Sequence, residues 1–179
     1  MVLSSPSVVK LIANQADSKK AESIFTVLSA DMKPSVLKTF VWFLRKLWRN
    51  VYDKVVVDDK TLRKIAKLRK KTEGPIIYMP THRSYIDFLI LSYILISYNI
   101  DAPYVASRDD FLGLSLVSYM MRNSGAFFIR KNMRNCELTK AIFSEYVKLL
   151  CRDGQSIEFF IEGTRSRTGK CLHPKVGML

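Results

Sequence analysis

From residue 76 onward the chain alternates short apolar runs with segments of helical length, and this alternation leaves few folds open. Residues 76–79, 103–107, 126–130 and 157–161 read as strands, and residues 85–98, 111–123 and 137–152 as the helices between them. Strands joined by helices of about a dozen residues need crossover connections. The expected architecture is therefore α/β, a largely parallel sheet flanked by helices. In open sheets of this kind, ligands bind beyond the carboxyl ends of the strands. Three of the runs lead at once into chemically interesting residues: Thr81-His82-Arg83 after the first, Arg130-Lys131 after the third, and residues 162–167 after the fourth.

The 73 residues ahead of this pattern differ in kind. Residues 1–30 read as a loosely ordered lead-in with a short helical piece over 21–29. Over 34–49, Val36, Leu37, Phe40, Val41, Leu44, Leu47 and Trp48 recur at helical spacing, with Lys38, Arg45, Lys46 and Arg49 between them. With Trp42 and Trp48 as anchors, such a basic amphipathic helix suits the headgroup layer of a membrane; its apolar stripe equally suits packing on the domain. A second basic helix is expected over 61–71, with Leu62, Ile65 and Leu68 on one face and Gly74-Pro75 ending it. The division is residues 1–73, a lead-in with basic amphipathic helices, and residues 74–179, the main domain.

Lys and Arg total 29 against 16 Asp and Glu, a net charge of +13 that directs the search toward anionic partners. The aromatic residues sit in apolar runs and not on a basic platform, which argues against nucleic acid. Cys136, Cys151 and Cys171 are scattered without CxxC spacing, so neither a disulfide framework nor a metal site is expected, and a reducing compartment fits. The longest uncharged run, residues 88–100, falls short of the roughly 20 residues that cross a bilayer as a helix.

Four residues separate His82 from Asp87 at the first strand-to-helix junction. On one continuous helix they would diverge by roughly 140° around the axis, so the His must sit in the turn. With Ser84 as a cap and Asp87 in the first helical turn, the carboxylate can fold back onto Nδ1 of His82 and leave Nε2 to accept a proton. That is the requirement for a general base acting on an alcohol. Taken alone, the pair serves equally well as a structural hydrogen bond. Glu162-Gly163-Thr164-Arg165-Ser166-Arg167 combines two arginines, small hydroxyl residues and a glycine, a set able to grip a phosphate or, without a ligand, to stand as a solvated basic loop. Five residues separate Gly163 from Gly169, and Cys171 follows Lys170, so the loop does not match a nucleotide-binding P-loop. His173 stands alone beside Pro174 and reads as filler.

At these residues the chain resembles the glycerolipid acyltransferases. His82-Arg83-Ser84-Tyr85-Ile86-Asp87 is similar to their HxxxxD block. Gly125-Ala126-Phe127-Phe128-Ile129-Arg130-Lys131 is similar to the second block, with Lys131 where Arg is usual, and residues 160–167 to the third. The wording of Asp110-Phe111-Leu112-Gly113 and of residues 143–148 points to the branch that acylates dihydroxyacetone phosphate. The resemblance implies transfer of a fatty acyl group from acyl-CoA, a co-substrate, to dihydroxyacetone phosphate or glycerol 3-phosphate, with no cofactor. It makes His82 the base and Asp87 its orienting partner. Arg130 would hold the acceptor phosphate, and Glu162, Gly163, Thr164, Arg165, Ser166 and Arg167 would shape the acceptor site. It further implies a peripheral enzyme of ether lipid and phospholipid synthesis on the matrix side of the peroxisomal membrane, or another intracellular membrane, with alkyl-dihydroxyacetone phosphate synthase as a partner. The family's fourth block is not reached by residue 179, so the acyltransferase domain is expected to be incomplete at its carboxyl end. The competing reading is a truncated, non-catalytic module that binds a membrane or a partner.

Overall fold

The computed structural model describes residues 2–113, 115–130 and 136–176. Its elements run α1 (Pro6–Val9), α2 (Gln15–Leu28), α3 (Pro34–Val51), α4 (Asp59–Lys71), β1 (Ile77–Tyr78), α5 (Asp87–Ser97) and β2 (Tyr104–Arg108). A 3-10 turn (Asp109–Gly113), α6 (Ser115–Asn123), β3 (Ala126–Ile129), α7 (Glu137–Arg152) and β4 (Ile157–Glu158) follow. The strands form a parallel sheet in the order β1-β4-β2-β3, so β4 inserts between β1 and β2. The α/β reading from the sequence holds.

Alternation along the strands sends neighbouring side chains to opposite faces, and each face has its own core. Phe127, Ile157 and Phe159 pack with Leu138, Ile142, Phe143, Tyr146 and Leu150 of α7, and with Val8, Ala21, Ile24 and Leu28 of the first two helices. Phe128 and Ala126 face the other way, toward Met121 of α6 and Phe88 of α5. Phe127 and Phe128 are both fully buried, each worth about 2–3 kcal/mol of transfer free energy.

The first thirty residues depart from the expected loose lead-in. Asn14 caps α2 by accepting from the Asp17 amide at 2.9 Å, and the Asp17 carboxylate accepts from the Ala13 amide at 3.2 Å. At the other end of α2, Arg122 donates to the Val27 and Ser29 carbonyls, both at 2.7 Å. The sequence pattern underweighted this helix because its apolar stripe is thin, with Ala21, Ile24 and Leu28 its buried residues.

In α3, Leu44 and Trp48 are buried and Trp42 is 61 % exposed. The two tryptophans therefore divide the roles offered for them: Trp48 packs on the domain and Trp42 faces out. Helix α4 starts two residues earlier than expected because Asp58 caps it, accepting from the Thr61 amide at 3.2 Å and the Thr61 hydroxyl at 2.6 Å. It buries no residue fully; Tyr98 donates to Asp59 at 3.0 Å, and Arg69 reaches the Gly74 carbonyl at 3.1 Å. Strands β1 and β4 are shorter than expected, since Pro80 has no amide to continue the ladder and the chain beyond Phe159 turns into the loop.

Candidate active site

His82 lies in the turn between β1 and α5, outside any helix, and Asp87 is the first residue of α5. The carboxylate folds back: Asp87 Oδ2 stands 3.1 Å from His82 Nδ1, and accepts from the backbone amides of Arg83 at 2.7 Å and Ser84 at 2.8 Å. Ser84 contributes its amide here. It is not the side-chain cap expected of it: the cap residue is Ile86, and α5 has no side-chain cap bond. Three donors converge on one oxygen at a helix start, where the backbone dipoles favour negative charge. With Nδ1–H as the donor to Asp87, this contact leaves Nε2 without a proton.

The imidazole is also held from its flat side. Phe160 stacks on it with ring centroids 4.0 Å apart and planes 27° apart. The main chain of the same residue is clamped by the neighbouring loop. Glu162 Oε1 accepts from the His82 amide at 3.0 Å, and the His82 carbonyl accepts from the Ser166 amide at 3.1 Å. The other Glu162 oxygen accepts from the Leu172 amide at 3.0 Å. Glu162 is 2 % exposed and spends both oxygens on backbone, so its work is to tie the His82 turn to the loop. Register makes this possible, since β1 and β4 are adjacent with Tyr78 opposite Glu158.

The rest of the loop opens outward. Gly163 takes a left-handed conformation (φ 65°), and a Cβ there would also crowd Lys175 at 3.0 Å. Thr164 and Arg167 are exposed. The Arg165 guanidinium lies over the Tyr85 ring at 3.4 Å from its centroid, bringing a cation beside the His82 turn. Nothing in the spacing identified Tyr85 as the platform for Arg165 or Phe160 as the support for His82, although both stand within the blocks read from the sequence.

An acyltransferase family model matches residues 54–179, which includes the dyad, the clamp and the arginine loop. The chain belongs to the acyltransferase family. Among curated relatives, it is 42 % identical over 162 residues to dihydroxyacetone phosphate acyltransferase of Mus musculus, covering 90 % of this chain and 24 % of that protein. It is 40 % identical over 172 residues to glycerol-3-phosphate acyltransferase of Haemophilus influenzae, covering 95 % of this chain and 20 % of the relative. The chain thus spans about a quarter or less of the length of these relatives.

Within this acyltransferase domain the expected acceptor residues do not all meet. His82, Asp87, Glu162, Arg165 and Ser166 gather at the ends of β1 and β4. Arg130, exposed at the end of β3, belongs to a strand separated from β4 by β2. Two strand spacings are about 10 Å. Lys131 lies outside the described residues.

Proposed function

We propose that this domain carries the base of an O-acyltransferase that moves a fatty acyl group from acyl-CoA to the hydroxyl of dihydroxyacetone phosphate or glycerol 3-phosphate. The observation that carries the reading is the His82–Asp87 contact at 3.1 Å, with Asp87 itself held by two backbone amides. His82 Nε2 takes the proton of the acceptor hydroxyl as its oxygen attacks the thioester carbonyl. The tetrahedral intermediate then collapses with loss of the CoA thiolate, which takes up the proton carried by the imidazolium. Asp87 stabilises that imidazolium while it exists. The step needs no nucleophilic Ser or Cys and no cofactor.

Arg165 and Arg167 supply cations for the acceptor phosphate, and Arg130 reaches it from the end of β3 if the acceptor lies across the sheet's carboxyl edge. Gly163, Thr164 and Ser166 shape the loop that presents them. The outer face of α3, with Trp42, Phe43, Arg45, Lys46 and Arg49, rests on an anionic membrane surface and makes the enzyme peripheral. By its likeness to the dihydroxyacetone phosphate enzymes, the protein works on the matrix side of the peroxisomal membrane in ether lipid synthesis, beside alkyl-dihydroxyacetone phosphate synthase.

The test is thiol release from palmitoyl-CoA, with dihydroxyacetone phosphate or glycerol 3-phosphate as acceptor. Acceptor-dependent release that vanishes in His82→Ala supports the enzyme. Binding to anionic vesicles without any release would support the non-catalytic module instead.

A further inference from the structure

On the α5 face of the sheet lies a carboxyl group that the acyl-transfer reading leaves unused. Glu158 of β4 is 0 % exposed, and among the described residues neither of its carboxylate oxygens has a hydrogen-bond partner. Its chain neighbours Ile157 and Phe159 point into the α7 core, so Glu158 points to the opposite face, the one covered by α5. In the register of the sheet it stands opposite Tyr78 on β1, whose buried hydroxyl also lacks a partner among the described residues, and opposite the apolar Val105 on β2. Asp87, at the start of α5, is the charged group that acts on it. Arg69 and Asp101 act on the Tyr78 side of the pair.

Two carboxyl groups thus share one end of the sheet in opposed surroundings. Asp87 accepts three hydrogen bonds, whereas Glu158 has none and no counter-ion among the described residues. A buried, unpaired carboxylate is far costlier than a buried neutral acid. We propose that Glu158 is a positioning residue of the active site, kept as a neutral acid on the α5 face so that its carboxyl adds no charge to the one Asp87 presents to the His82 ring; Glu162, the other carboxyl beside His82, has both oxygens taken by backbone amides. Burial first, and the Asp87 charge second, push the Glu158 carboxyl up to about 8. Raising the pH through that range adds a second negative charge on the α5 face. It also loosens the fold: a group held more tightly protonated in the folded chain than in the unfolded one favours folding at low pH, and that contribution is lost as pH rises toward 8.

The proposal rests on the acyltransferase reading for its meaning but is tested without turnover, so the two can fail separately. The chain contains two histidines, His82 and His173, and the latter is exposed. The ring signals of both are followed by NMR from pH 5 to 9.5 in the wild type, Glu158→Gln and Asp87→Asn. His82 should show an added inflection near pH 8 that His173 lacks. That inflection should be absent from Glu158→Gln and move to lower pH in Asp87→Asn, where the repelling charge is gone. The principal His82 titration should be the same in wild type and Glu158→Gln. Denaturant midpoints should fall more steeply from pH 5 to 8.5 in the wild type than in Glu158→Gln. A principal His82 titration displaced to lower pH by Glu158→Gln would show that Glu158 is already charged and overturn the proposal. A wild-type His82 curve without the second inflection would overturn it too, and Asp87→Asn keeps the test decisive if Glu158→Gln does not fold.

Discussion

Helices α5 and α7 cover opposite faces of the same sheet, yet they bury themselves differently. Helix α7 is amphipathic and puts Leu138, Thr139, Ile142, Phe143, Tyr146 and Leu150 into the core, while exposed Lys148 pairs with Glu145 at 2.9 Å. Burial pushes the Tyr146 phenol up to about 12, and its oxygen accepts from the Ala30 amide at 3.1 Å. Helix α5 is apolar on every side, from Phe88 through Ile96, but only Leu95 is buried outright among its eleven residues. A helix hydrophobic all round is ordinarily one with neighbours on every side. The difference separates a helix whose sequence is spent on stability from one whose first residue is held at the proposed site.

Breaking the chemical half of this comparison has the largest expected effect. Asp87→Asn should leave the far-ultraviolet circular dichroism intact and lower turnover about 10³-fold, because an amide accepts the wrong tautomer and leaves the imidazolium unbalanced. Turnover within a few-fold of wild type would remove Asp87 from the mechanism. On the stability side, Phe143→Ala in α7 should cost about 3–5 kcal/mol by denaturant unfolding, whereas Ile90→Ala in α5, half-buried, should cost about 1 kcal/mol. Equal costs would mean that α5 is as much a core element as α7.

How much of this was legible in sequence follows the same division. Period and breakers located α5, α6 and α7 to within two residues at most boundaries, apart from the start of α6, where the 3-10 turn intervenes. His82 and Asp87 were placed by helix geometry alone, since five positions on one helix would part them. Long-range order was not legible. The insertion of β4 between β1 and β2, which brings Glu162 to the His82 amide and leaves Arg130 two strands away, depends on tertiary pairing that no local pattern encodes. The order of α1 and α2 was missed for a related reason: much of their stability comes from α7 and Arg122, more than ninety residues downstream in the chain.

Smaller effects sharpen the comparison around the loop and the N-terminal helices. Arg165→Ala should raise the Michaelis constant for the phosphorylated acceptor about ten- to hundredfold and leave that for acyl-CoA nearly unchanged, the loss of one charge-assisted contact of about 1.5–3 kcal/mol. Arg165→Lys should recover part of this, since an ammonium keeps the charge without the planar fork. Equal changes for both substrates would move the arginine away from the acceptor. Charge reversal at Arg45, Lys46 and Arg49 should weaken co-sedimentation with anionic vesicles several-fold, and salt should do the same to the wild type. Unchanged sedimentation would return the whole of α3 to packing on the domain.

The central claim is that Asp87 fixes the His82 ring so that Nε2 is the base, and the ring nitrogens report it directly. In ¹⁵N-labelled protein above the imidazole titration, His82 should show a protonated Nδ1 and an unprotonated Nε2, and Asp87→Asn should shift the population toward the other tautomer. A wild-type His82 that carries its proton on Nε2 under the same conditions would contradict the account, because the nitrogen assigned to take the acceptor's proton would already hold one.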